Sequence, residues 1–100
     1  MKVKYNRWIP FKGFAAMAFF GVILARKECK PLSPITLRHE EIHQAQAREC
    51  GGWWRFYWKY LRFWILCGYA EIPFELEAYA NEASATYLQN REPFAWRKFV

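Results

Sequence analysis

The two histidines of the chain, His39 and His43, stand four residues apart, and Glu40 directly follows the first: an HExxH pattern. On a helix, residues four apart lie one turn apart on the same face, so both imidazoles can reach one Zn²⁺. Glu40 lies about 100° round the helix from His39, which sets a carboxylate beside the metal without using it as a ligand. There it can take the proton of a zinc-bound water, whose pKa the metal lowers from about 15.7 to about 7. The chemistry implied is hydrolysis, with Glu40 as general base.

A catalytic zinc takes three protein ligands plus water, so a third ligand must come from elsewhere in the chain. The stretch PFELEAYANE, residues 73 to 82, is the candidate. Glu75 and Glu77 point about 200° apart on a helix, so only one of them can face the metal, and helix phase leaves both open. Glu75 shares its face with Tyr79 and Glu82. In the HExxH segment, Gln46 and Cys50 share the histidine face, flanked by Ile35 and Ile42, while Glu41, Gln44 and Arg48 point the other way.

These groups need helices to hold them. Ser33-Pro34 is a helix start, a capping hydroxyl followed by proline at the first helical position, and Gly51-Gly52 is a stop. The spacing predicts a helix from there to about Cys50. Trp53 to Cys67, WWRFYWKYLRFWILC, predicts a second helix, with Arg55, Lys59 and Arg62 on a narrow stripe and large apolar side chains nearly everywhere else. It is expected to cover the core, its charged stripe in water. The competing reading is an interfacial helix at a membrane surface, where Trp, Tyr, Lys and Arg are favoured. Pro73 opens a third helix, expected to run to about Asn90 with Leu76, Ala80, Ala83 and Tyr87 as its apolar stripe. The tail from Arg91 is expected to pack by Phe94, Trp96 and Phe99.

Upstream, residues 1 to 8 alternate weakly and predict an edge strand closed by Pro10. Residues 14 to 27 predict one bent strand, or two joined at Gly21, with a bulge as the role of that glycine. Gly13 to Ala25 is apolar but about 13 residues long, short of the ~20 a spanning helix needs, and is expected to be a buried structural segment rather than a signal or anchor.

The chain's 100 residues suit a single domain, 1–100. Aromatic residues make up 21% and charged residues 24%, which excludes a disordered chain. A net charge of +6 suits an anionic partner. Nucleic acid is not expected, because the basic residues are scattered and no nucleic-acid motif is present. Three cysteines without a CxxC spacing argue against a disulfide framework and for a reducing compartment, giving a cytoplasmic expectation with peripheral membrane contact through residues 53–67.

The motif pair HEEIH (39 to 43) and ELEAY (75 to 79) resembles the gluzincin-type zinc metallopeptidases, particularly the HtpX-like and CAAX-prenyl-protease-like group, whose third ligand opens an E-x-x-A-D motif. From about Phe11 to Phe99 the chain also resembles a group of short bacterial proteins that combine an HExxH helix with an FExEAYANE-like segment. The resemblance implies His39, His43 and Glu75 as zinc ligands and Glu40 as the base. The sequence departs from the larger family at Tyr79, where that family has an aspartate that orients a ligand histidine. Glu82 or a backbone carbonyl would then take that part, and Tyr79 would instead face the oxyanion.

The expected fold is α+β: a small N-terminal hairpin or strand pair followed by three helices, with the HExxH helix central, in a minimal zincin-like arrangement. The expected function is zinc-dependent hydrolysis of a peptide or protein substrate. A strand around Phe19 to Ala25 would bind that substrate as an added strand. The alternative is a non-enzymatic membrane-surface or partner-binding module built on residues 53–67.

Overall fold

A computed structural model describes residues 2–7 and 16–100. Three strands form one sheet: β1 (Lys2–Asn6), β2 (Ala16–Phe19) and β3 (Val22–Arg26). The helices α1 (Pro34–Glu49), α2 (Trp53–Cys67), α3 (Pro73–Asn81) and α4 (Tyr87–Asn90) follow, and a 3₁₀ segment, Ala95–Phe99, closes the chain. This is an α+β fold. Trp8, Pro10 and residues 13 to 15 of the upstream expectations lie outside the described residues.

The sheet order is β1-β3-β2, with β1 parallel and β2 antiparallel to β3. The strand pair is therefore a hairpin with a third strand added. Gly21 serves a two-residue turn rather than a bulge: Phe20 and Gly21 both have positive φ, 47° and 89°, the backbone that matches the right-handed twist of the flanking strands. Ile23 and Ala25, on one face of β3, are fully buried and pack with Leu32 against Val3, Tyr5 and Leu37.

α1 begins and ends where its sequence signals stand. Ser33 Oγ accepts from the Thr36 N–H at 3.1 Å, with Pro34 at the first helical position. At the other end, Gly52 N–H donates to Ala47 O and Gly51 N–H to Arg48 O, with Gly51 at φ 91°. That is the paired closure a left-handed glycine permits. Ile42 is fully buried, whereas Ile35, expected beside it, is exposed.

Two elements differ from expectation. α3 ends at Asn81 instead of continuing to Asn90, because Asn81 Nδ2 donates to the Glu77 carbonyl and closes the last turn. The chain then bends through residues 82–86 before α4. The expected apolar stripe does not form, since Ala80 and Ala83 are exposed. α3 instead buries Pro73, Phe74, Glu75, Glu77 and Ala78, because it lies between α1 on one side and the C-terminal 3₁₀ segment on the other. α2 does not cover the core with most of its apolar side chains either: Phe56 is its one buried residue, and Trp53, Tyr57, Tyr60 and Phe63 are half-buried around it. Phe74 is the centre of that cluster, with ring centroids 4.8 Å from Phe56 and 4.9 Å from Trp96.

Burying Glu77 completely calls for a counter-charge. Arg91 provides it: Nε donates to Glu77 Oε2 at 2.7 Å, while Nη1 and Nη2 donate to the two oxygens of Glu49 at 2.9 and 2.8 Å. Burial opposes ionisation of Glu77, but the bonds from Arg91, Gln46 and Tyr87 outweigh it and hold the carboxyl below its ordinary 4.5. A group with a depressed folded pKa contributes stability above its unfolded pKa and loses it as the pH falls. Arg91→Ala strands a buried carboxylate and is expected to cost about 3–5 kcal/mol at neutral pH. In urea denaturation, the gap between wild type and this variant should narrow as the pH drops below 4.5.

Candidate metal centre

His39 and His43 project from one face of α1, both buried, with ring centroids 4.8 Å apart. Across from them, the first turn of α3 presents Glu75. Its Oε1 stands 3.1 Å from His39 Nε2 and 2.8 Å from His43 Nε2, and the three ligand atoms lie within 4.8 Å of one another. A tetrahedral ion with bonds of about 2.0–2.1 Å separates its ligand atoms by about 3.3 Å, so the cluster is close to the required spacing.

The tautomers can be read from the surrounding bonds. Gln46 Nε2 donates to the Phe74 carbonyl and to Glu77 Oε1, both at 3.0 Å, which fixes which end of the amide is nitrogen. Its Oε1 is therefore what faces His43 Nδ1 at 2.8 Å, and Nδ1 must carry the proton. In His39, Nδ1 stands 2.7 Å from Glu82 Oε2, a carboxylate that only accepts when ionised, so this Nδ1 also carries a proton. Each neutral imidazole then turns an Nε2 lone pair towards the same Glu75 oxygen. Such an arrangement repels unless a cation neutralises it, either a proton on each ring or one metal ion. Burial alone would lower the His43 pKa, but the Glu75 hydrogen bond and charge override it and raise the imidazolium to about 9. The donor set of two histidines and one carboxylate fits a zinc with an open fourth position, not a closed structural site.

Glu75 is held by residues that sequence reasoning missed. Tyr60 and Tyr69 donate to its other oxygen, Oε2, at 2.8 and 3.2 Å. Burial opposes the charge, but these phenols and the two histidines hold the carboxyl well below the usual range, and both phenols are pushed up in turn, first by burial. A tyrosine within the core-facing side of an aromatic helix was the available signal for Tyr60, because a buried phenol needs a partner. Arg38 was missed as well: its Nη1 donates to the Glu82 carbonyl at 2.6 Å and fastens the bend that brings Glu82 to His39.

The other proposed positions separate clearly. Glu77 faces Gln46, Tyr87 and Arg91, so the alternative third ligand belongs to the ion pair described above. Tyr79 packs its ring 4.6 Å from His39 with 56% of its surface exposed, at the mouth of the cluster, and its hydroxyl pairs with Tyr69. Glu40 is buried beside the histidines and accepts the backbone N–H of Ala18, and burial pushes its carboxyl up against the opposing pull of His43 and His39.

The sheet meets the site through β2, and this corrects the expected substrate strand. β3 is hydrogen-bonded on both sides, so residues 22 to 26 cannot take an added strand. The outer strands are β1 and β2, and it is β2 that meets the site, where Glu40 holds the Ala18 N–H and the Tyr57 hydroxyl donates to the Ala18 carbonyl at 3.0 Å.

Comparisons with protein-family models, with curated proteins and with solved structures each found no match. Among the described residues no helix is long and apolar enough to cross a membrane.

A partner that receives a ligand histidine's second N–H typically contributes 10- to 100-fold in metal affinity, roughly. Glu82→Ala is expected to weaken zinc binding by about that factor, read by competition with a chromogenic chelator, while the exposed control Glu92→Ala leaves it unchanged.

Proposed function

We propose that this chain is a zinc-dependent metallopeptidase of the gluzincin type, with His39, His43 and Glu75 as ligands and Glu40 as general base. The observation that carries the reading is the geometry of the two imidazoles: His39 Nδ1 and His43 Nδ1 are bonded to Glu82 and Gln46, and both Nε2 atoms face the same oxygen of Glu75. Zinc held by His39, His43 and Glu75 would supply Lewis-acid chemistry, lowering the pKa of a water to about 7 and polarising a carbonyl.

The protein's own groups supply the rest. Glu40 is a buried carboxylate whose pKa is raised towards the working range of a base. It accepts a proton from the attacking water and passes it to the leaving amine. Gln46 and Glu82 keep the imidazoles in the tautomer that ligation needs. Tyr60 and Tyr69 keep Glu75 ionised and in place. Tyr79, at the mouth beside His39, is the phenol that reaches the carbonyl oxygen of a bound peptide once its hydroxyl leaves Tyr69. A peptide reaching Glu40 along β2 replaces Tyr57 at the Ala18 carbonyl and Glu40 at the Ala18 N–H, which frees the base as the substrate arrives.

Metal content and turnover test this together. The wild type is expected to hold about one zinc per chain, lost in His39→Ala and in Glu75→Ala. Glu40→Gln should keep the zinc and lose at least about 100-fold in the cleavage of a quenched-fluorescence peptide library. A wild type that takes up no zinc on supplementation, or a Glu40→Gln variant that cleaves like the wild type, overturns the proposal.

A further inference from the structure

α2 turns a single side to the protein. Phe56, Tyr60 and Phe63 face the Phe74 cluster. On the opposite side Trp54, Trp58, Leu61 and Ile65 fall within an arc of about 60°, by the 3.6-residue turn. Trp54, Trp58 and Ile65 are 73, 72 and 76% exposed, and among the described residues nothing covers them. The patch continues past the helix: Phe20, at the hairpin turn, packs edge-on against Trp54 at 5.0 Å, with Phe19 exposed beside it. Single exposed apolar residues are ordinary, but a contiguous stripe of this kind marks an interaction surface.

Its charge says what the partner is. Arg55 and Arg62 are exposed along one flank of the stripe, and Lys59 lies beyond them with its ammonium 5.7 Å from the Trp96 ring. The helix contains no acidic residue, and the whole chain carries +6. A second copy laid on this face would set like charges against one another with no acid to pair them. Anionic lipid headgroups neutralise the same groups, while tryptophan is the side chain favoured at the headgroup level. The helix has 15 residues, too few to span a bilayer but enough to lie in its surface with the apolar stripe submerged.

We infer that the outer face of α2, extended by the hairpin tip at Phe19 and Phe20, docks on the surface of an anionic lipid bilayer. This docking stands apart from the metal centre, since none of its residues touches His39, His43 or Glu75.

The test is co-sedimentation at low salt with phosphatidylcholine vesicles made with or without phosphatidylserine. The wild type is expected to pellet with the phosphatidylserine vesicles, to be released by added salt and to show a blue-shifted tryptophan emission when bound. The double variant Trp54→Ser, Trp58→Ser should lose at least about tenfold in partitioning. Arg55→Glu with Arg62→Glu should abolish the preference for phosphatidylserine and, since both side chains lie outside the core, keep the wild-type circular dichroism spectrum. Glu40→Gln should bind as the wild type does, whatever its effect on catalysis. A wild type that stays in the supernatant with phosphatidylserine vesicles overturns the inference. So does a lipid-free dimer that Trp58→Ser dissociates, because a second copy would then be what covers the stripe.

Discussion

Two carboxylates on the nine-residue helix α3 are withdrawn from water, and most of the buried polar groups of the helical layer are arranged around neutralising them. Glu75 is met by two imidazoles and two phenols, Glu77 by a guanidinium, an amide and a phenol. Such burial is costly unless each charge is paired and each lone pair bonded, so α1, α2 and the segment after α3 must all be in place at once. Gln46 joins the two sets, its amide touching His43 on one end and Glu77 on the other. The geometry at the histidines is thereby referred, through Gln46 and Glu77, to the ion pair of Arg91. The His39–His43–Glu75 cluster is held by its support and not by its three side chains alone.

The same constraint explains which parts were legible in the sequence. α1 could be bounded because its signals are local: Ser33, Pro34, Gly51 and Gly52 act through bonds within a few residues of themselves. The histidine face followed from spacing for the same reason. Glu75 and Glu77 could not be separated by phase because α3 is buried on two sides, so opposite faces of one helix are both interior, and only the partners on α1 and beyond distinguish them. The end of α3 was hidden by its alanines, whose preference for helix is overruled at Asn81 and Glu82 by bonds to Glu77, Arg38 and His39. Long-range bonds leave no local mark in a sequence.

α2 was misjudged for a different reason. An aromatic-rich helix in a small domain invites the assumption that it fills the core, yet the core available to it is one cluster about Phe74, filled by Phe56 and its half-buried neighbours. The apolar side chains left over face outward. Composition gives the amount of apolar surface in such a helix, and only the packing gives how much of it the protein itself can use.

Among the described residues, the outer edge of β2 has no covering strand. An open edge is a template on which copies of a protein stack into aggregates, and at Ala18 this one is stoppered by two side chains: Glu40 takes the N–H, and the Tyr57 hydroxyl donates to the carbonyl while accepting the N–H of Phe20. A stopper made of side chains differs from one made of backbone in how it is removed. Unblocking the edge means turning Glu40 and Tyr57 away from Ala18, and since Glu40 is buried and Tyr57 half-buried, that rotation requires the packing around them to give. At Ala18 the edge is thus closed to another strand for as long as both side chains stay in place.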